Sequence, residues 1–200
     1  MAKDRFRDWG LYHKSVATLV AALVLSVLVR ALMAIDAAYA VKDEIMIDAN
    51  AAEIWPWILD NNKRADWQGE IMRVSGVSSE AGSSRLVFWK RHYQRWRSYE
   101  VTTALVKERL IRSEHNSDED KRWWQIELVP QSPCGTKVIF TETIQPNTYE
   151  NRFWFFRVRD ERQKRVENSV KSLKGWVEKT ASSCAESKEA QEISRIKEQR

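Results

Sequence analysis

Hydrophobic and polar positions follow three different rhythms along this chain. From Ser15 to Val29 no residue is charged, with Ser15, Thr18 and Ser26 the polar positions; Arg30 interrupts, then Ala31 to Ile35 resumes the apolar run. A stretch without a polar face is not an amphipathic surface helix. Counted to Ile35 it reaches the roughly 20 residues that cross a bilayer, with Arg30 able to extend its head toward the interface. In the middle of the chain, short segments alternate with a period of two, the mark of half-buried strands. From Asn151 the period becomes helical: Val166, Val170, Leu173 and Val177 recur at i, i+4, i+7 and i+11, with Arg162, Lys164, Lys171 and Lys174 on other faces. One amphipathic helix of about 25 residues is expected there, headed by Phe153 to Phe156 and packed on a sheet.

The middle is organised around Ile45 to Ile71. Ile45 and Ile47 alternate with Met46 and Asp48 as a strand whose start is placed at Val41. Asn50 supplies an N-cap oxygen, and Ala51 to Leu59 carries Ile54, Trp55 and Ile58 at helical spacing. Pro56 falls inside this helix, removes a donor and is expected to kink or shorten it. After Asp60-Asn61-Asn62 comes a second short helical piece with Trp67, then a strand at Met72 to Val77.

Further strands are expected at Arg85 to Lys90, Tyr99 to Lys107, Leu110 to Glu114, Trp123 to Val129 and Lys137 to Ile144. Gly82-Ser83-Ser84, Lys107-Glu108-Arg109, Asn116 to Asp120 and Ser132 to Gly135 supply the turn chemistry between most of them. Short strands on short links make an antiparallel meander. In the last two strands the faces separate: Trp124, Ile126 and Leu128 oppose Trp123, Gln125 and Glu127, while Val138, Phe140 and Ile144 share a face with Glu142. The more apolar set belongs on the covered side, which turns Glu142 inward. A carboxylate so placed is paired or raised in pKa; the alternative is a place at the sheet edge, ion-paired with an Arg.

The order strand, two short helices, strand, with Ile54-Trp55, Asp60 and Trp67 in their places, resembles the start of the START/Bet v 1-like superfamily, the polyketide cyclase/dehydrase-type or SRPBCC proteins. Leu128 to Thr143, with its Gly135-Thr136 turn, is similar to that family's last two strands. The resemblance implies an α+β helix-grip fold: a curved antiparallel sheet wrapped on the long carboxy-terminal helix, with a ligand held between them. On that fold Tyr99, Val101, Trp124, Ile126, Leu128, Val138, Phe140, Glu142, Val166 and Val170 are the expected cavity lining. Many functions share this fold, so the resemblance does not carry a chemistry.

Charge and cysteine content narrow the picture further. The 33 Lys and Arg against 28 Asp and Glu leave +5, too mild and dispersed to demand nucleic acid. Ten tryptophans favour a wide apolar interior or groove. Cys134 and Cys184 are too few for a disulfide framework; unpaired thiols are the simpler reading, with pairing open in an oxidising compartment. His13, His92 and His115 have no partner at ligand spacing, so neither a metal nor another cofactor is expected. The Leu86 to Tyr99 stretch mixes Arg, His and aromatics and reads as a hairpin, with lipid-headgroup contact and nucleobase stacking as the functional alternatives; no nucleic-acid motif matches, so no nucleic-acid partner is expected.

Two membrane readings of the amino terminus stand beside a third, a buried core helix. A signal anchor places Val16, Leu19, Val20, Leu23, Leu25 and Leu28 in the bilayer; a cleaved signal peptide ends at the Ala38-Tyr39-Ala40 site. The anchor is favoured, because Arg30 and Asp36 intervene between the apolar run and the cut. In both, Lys3, Arg5, Arg7 and Lys14 keep the amino terminus cytoplasmic and put the domain across the membrane, on the periplasmic face in a bacterium. The expected organisation is a basic tip and membrane segment at 1–40, a helix-grip domain at 41–180 and a polar tail at 181–200.

No G-x-S-x-G, Walker loop or G-x-G-x-x-G occurs. The leading functional expectation is therefore a membrane-tethered module for a small hydrophobic or lipid-like molecule. An enzyme of cyclase, dehydratase or hydrolase type is the alternative, with Glu142, His92 and Arg91 as nominees. A ligand-free envelope scaffold filled by tryptophans is the third.

Overall fold

The computed structural model describes residues 2–34, 38–91, 93–117, 120–131 and 134–181, with side chains from Tyr12 onward except at 91 and 155–157. Its elements are α1 (Ala2–Met33), β1 (Tyr39–Ile47), α2 (Ala51–Leu59), α3 (Asn61–Trp67), β2 (Ile71–Gly76), β3 (Ser84–Arg91), β4 (Gln94–Val106), β5 (Leu110–Asn116), β6 (Asp120–Pro130), β7 (Thr136–Pro146), α4 (Tyr149–Phe153) and α5 (Phe155–Thr180).

Asn50 starts α2 through a capping box: its side chain accepts from the Glu53 N–H at 3.0 Å, and its own N–H donates to the Glu53 carboxylate at 3.2 Å. Pro56 does not shorten the helix, which runs Ala51–Leu59 as expected. It lies on the solvent side, as does Ala52, so the carbonyl that loses its partner faces water. Asp60 then closes α2 and caps α3, accepting from the Asn62 N–H at 2.9 Å. The two short helices cover one end of the sheet's concave side.

The strands form one antiparallel sheet in the order β1-β7-β6-β5-β4-β3-β2. Register shifts between Ile71 and Arg73 and between Thr102 and Ala104 mark bulges, which bend a sheet and deepen its twist. At the β6–β7 turn Gly135 has φ +119°, and a Cβ there would meet the Ile47 carbonyl at 3.3 Å. Thr136 beside it ties the turn to the Ala49 carbonyl at 2.9 Å.

α5 lies across the concave face with Val166, Val170, Leu173 and Val177 at most 1% exposed. It is held along β1 by Gln163 donating to the Lys42 carbonyl at 2.8 Å and Lys174 donating to the Met46 carbonyl at 2.7 Å. The carboxy-terminal helix is not continuous from Asn151. It breaks at Trp154, where φ −98° and ψ 10° leave the helical region. The short α4 before the break is tied elsewhere: Arg152 donates to the Pro146 carbonyl at 2.8 Å and the Tyr149 hydroxyl to the Ala31 carbonyl at 3.1 Å.

Among the described helices α1 contains the one stretch, Tyr12–Met33, long and apolar enough to cross a membrane. None of that stretch is buried, so the core-helix reading is excluded; Val16, Leu19, Val20, Leu23, Leu25 and Leu28 are all exposed. Cys134 is disulfide-bonded, which corrects the free-thiol expectation. The chain has one other cysteine, Cys184, which lies with the expected polar tail outside the described residues.

Candidate functional site

Antiparallel pairing stacks inward-facing residues into rows across the sheet. One row runs Arg85, Glu100, His115, Arg122, Ile144, Tyr39, and the next runs Thr102, Ser113, Trp124, Glu142, Val41. Beyond them the rows turn apolar: Ile111, Ile126 and Phe140, then Leu128 and Val138. The interior therefore has a charged half, beside the start of α5, and an apolar half beside its end.

Two clusters build the charged half. In the first, Arg64 of α3 grips Glu100 with both terminal nitrogens, at 2.7 and 2.8 Å. Arg85 donates to the same carboxylate at 2.7 Å, and the Trp124 indole N–H donates to it at 2.8 Å. Arg64 also sits 4.7 Å above the Trp124 ring and donates through Nε to Gln68 at 2.7 Å. All three charged groups are 1% exposed. Burial alone would raise the Glu100 carboxyl; Arg64, Arg85 and Trp124 outweigh it and hold it at about 2. Arg85 is lowered to about 10 by its burial and by Arg64.

The second cluster is a ladder. Glu70 meets Arg165 at 2.8 Å, Arg165 donates to Glu142, and Glu142 lies 3.8 Å from Arg122. Arg122 donates to Asp120 at 2.7 Å, and Arg162 donates to the other Asp120 oxygen at 2.8 Å. Burial pushes Glu142 up, but Arg165, Arg122 and Arg162 bring it down to about 2. Asp120 is likewise lowered, Arg122 and Arg162 overcoming its burial. The first cluster is closed. The ladder is open at one end, where Arg162 Nε and Nη1 are buried without a hydrogen-bond partner among the described residues.

His115 joins the two. Ser98 accepts from the Trp89 indole at 2.7 Å and shares a hydrogen bond with His115 Nδ1 at 3.0 Å, whose direction follows the imidazole tautomer. Burial, with Arg122 close by, lowers its pKa to about 4.

Between the clusters lies a small, partly open space of about 30 Å³, lined among others by Trp89, Trp124, Phe140, Glu142 and Arg165. That volume holds a water or two, where small-molecule sites measure about 300–1,000 Å³. Glu70, Arg165 and Ser169 also line a cleft of about 420 Å³ between the α3–β2 link and α5, where Asp66, Lys164 and Asn168 stand. Arg165, bridging Glu70 and Glu142, is the wall between cleft and interior. A larger hollow of about 800 Å³ is bounded by α1 residues alone and follows its exposed face.

Of the expected lining, Trp124, Phe140, Glu142 and Val166 border this small space. Ile126, Leu128, Val138 and Val170 are buried in the apolar half. Tyr99 and Val101 are corrected: they point outward, 68% and 39% exposed, because β4 turns Ser98, Glu100 and Thr102 inward. Glu142 is inward and paired, not at a sheet edge. Its depressed pKa makes it a weak base at neutral pH, which tells against proton transfer there. His92 and the Arg91 side chain lie outside the described residues. Among the described residues no group of three or more His, Cys, Asp or Glu is placed to hold a metal.

Solved structures share this architecture. The protein TTHA0849 of Thermus thermophilus has a TM-score of 0.61 at 19% identity, over 72% of this chain and 100% of that one. The Zhui aromatase/cyclase of Streptomyces has 0.57 at 13%, over 71% and 94%. Ara h 8.0201, a Bet v 1 family member, has 0.54 at 11%, over 70% and 98%. No family model and no curated protein matches the sequence. Likeness at these identities carries architecture and not activity. The chain has the α+β helix-grip fold of the START/Bet v 1-like, SRPBCC-type superfamily, preceded by an apolar amino-terminal helix.

Proposed function

We propose that this protein is a membrane-tethered binding module for a small amphipathic or lipid-like molecule taken at the cleft between the α3–β2 link and α5. The observation that carries it is the adjacency of the 420 Å³ cleft to the aromatic-walled interior through Arg165. The polar end of the guest stays among Asp66, Lys164 and Asn168. Its apolar end enters toward Trp89, Trp124 and Phe140 when Arg165 releases Glu142. The interior as it stands is too small for a wholly apolar guest, which narrows the expected hydrophobic molecule to one with a polar head.

The helix-grip domain at 41–180 hangs from 1–40 as a retained anchor, with the tail at 181–200 beyond it. Removal of the chain up to Ala40 would strip Tyr39, buried and paired with Ile144, out of β1 and end the Tyr149–Ala31 hydrogen bond. The basic flank before the span and the disulfide at Cys134 favour a cytoplasmic amino terminus with the domain in an oxidising compartment.

A second reading has one observation in its favour. The space under α5 is nearly filled, as an envelope scaffold without a guest would have it. Native mass spectrometry of the full chain released from mild detergent separates the two. Gly69, in the cleft lining, has open space where a Cβ would stand, which makes Gly69→Trp the variant to fill the cleft. A bound small-molecule mass in the wild type that disappears in Gly69→Trp supports binding; a bare wild-type chain supports the scaffold.

A further inference from the structure

The antiparallel register puts the start of β1, the end of β7, the start of β6, the end of β5 and the tip of the β3–β4 hairpin at one end of the sheet. α1 arrives at that same end, because Tyr149 of α4, just past β7, bonds to Ala31 inside the apolar span. β4 continues past its last pair with β5, Tyr99 with Asn116, through Gln94 to Ser98. At about 3.4 Å per residue this carries the hairpin ~17 Å farther.

The outer face of that projection is cationic. Lys90 pairs across the strands with Arg95, and Phe88 with Arg97; Arg73 from β2 lies 4.5 Å over the Phe88 ring. Lys90, Arg95, Arg97 and Arg73 are all exposed, and none makes an ion pair among the described residues. Tyr93 at the tip is fully exposed, and Tyr149 and Trp154 of the same end are exposed too. Glu70, whose carbonyl accepts from the Lys90 N–H at 2.8 Å, pairs its carboxylate with Arg165, and Glu114 near the end of β5 pairs with Lys121, so neither acid neutralises the hairpin's cations by an ion pair. Exposed Tyr and Trp among Lys and Arg at the mouth of a span match the chemistry of an anionic bilayer surface.

We infer that the outer face of the β3–β4 hairpin docks on the anionic headgroups of the bilayer that α1 crosses. The inference rests on the tether reading above. Docking fixes the tilt of the domain, so that the cleft between α3 and α5 keeps one orientation to the membrane.

The full chain in nanodiscs tests this, with p-benzoylphenylalanine installed singly at Tyr93, at Val20 in α1, or at Val77 on the opposite end of the sheet. Discs of phosphatidylcholine alone are compared with discs containing phosphatidylglycerol, and lipid adducts are counted by mass spectrometry. The expected result is adducts at Val20 in both discs, none at Val77, and adducts at Tyr93 in the anionic discs. The Tyr93 adducts are lost in Lys90→Gln/Arg95→Gln/Arg97→Gln and in high salt. Adducts at Val20 with none at Tyr93 overturn the docking and leave the tether standing. Equal Tyr93 adducts in both discs and in the triple variant reduce it to mere proximity and overturn it as well. No adducts at Val20 remove the tether, and the docking with it.

Discussion

The two halves of the interior solve one problem in opposite ways. Under the end of α5, Ile47, Ile54, Ile58, Ile126, Leu128, Val138, Leu173 and Val177 exclude water with no polar atom to satisfy. Under its start, four arginines (Arg64, Arg85, Arg122, Arg162) and three carboxylates (Glu100, Asp120, Glu142) are buried at similar depth. The apolar half draws stability from each methylene removed from water, in small separable amounts. The charged half must first recover the cost of dehydrating ions, so its members stand or fall together. A filled apolar half, with a charged half that keeps the small space beside the cleft, also locates where this fold has room to change.

The largest effect is expected at Glu100. Glu100→Gln leaves two buried guanidiniums without their anion and should cost about 3–5 kcal/mol in chemical denaturation of the full chain in mild detergent. Arg64→Met/Glu100→Leu/Arg85→Met, which removes the whole triad, should recover most of that loss. A single variant no worse than the triple would erase the distinction between the halves. Leu173→Ala in the apolar half comes next, at about 3 kcal/mol for the lost methylenes and the cavity. Its cost should add to that of a charged-half variant, since the two sites share no partner.

How far these halves are legible in the sequence depends on where each strand's partners come from. Alternation in β6 and β7 identifies Trp124, Ile126, Leu128, Val138, Phe140 and the inward Glu142, because those faces are mostly apolar and speak for themselves. In β4 the same logic chooses Tyr99 and Val101 over Glu100, and the fold reverses it. Glu100 is tolerated inside only because Arg64 from α3, Arg85 from β3 and Trp124 from β6 converge on it, and no single strand announces a three-element convergence. Asp120 and Arg122 escape for a simpler reason: the strand expected to begin at Trp123 begins three residues earlier, at Asp120, so the expected span leaves out its charged beginning. The break at Trp154 has a tertiary origin, the ties of α4 to β7 and α1, and leaves no trace in the helical period. What Glu142 suggests, a charge facing inward, is the one visible edge of the whole ladder.

Acid should separate the halves without mutation. The apolar half does not titrate. His115 has a folded pKa of about 4, below its ordinary 6.5, so the unfolded chain takes up the proton first. Its contribution is complete above pH 6.5 and is lost as pH falls toward 4. Glu100 and Glu142, held at about 2, contribute fully above 4.5 and lose that contribution as pH falls toward 2. Denaturation midpoints from about pH 8 to about pH 3 should therefore fall in two stages, the first on the order of 2–3 kcal/mol. His115→Gln should flatten the first stage, while Leu173→Ala lowers the entire curve in parallel. A parallel shift from both would mean that the imidazole is not dehydrated as described.

The smallest effect is expected at the open end of the ladder, and it tests whether the charged half is uniform. Arg162 gives one hydrogen bond to Asp120 and buries two further nitrogens with no acceptor among the described residues. Its own pKa is lowered, by burial first and then by Arg122 and Arg165. Asp120 keeps Arg122 and the Ser117 hydroxyl when Arg162 is removed. Arg162→Met retains the buried stem of the side chain and removes an ill-satisfied cation, so the gain and the lost ion pair nearly cancel. A net change below about 1 kcal/mol follows. A cost near that of Glu100→Gln would show that Arg162 has acceptors as good as those in the closed triad, and that the ladder is as tightly bound as its neighbour.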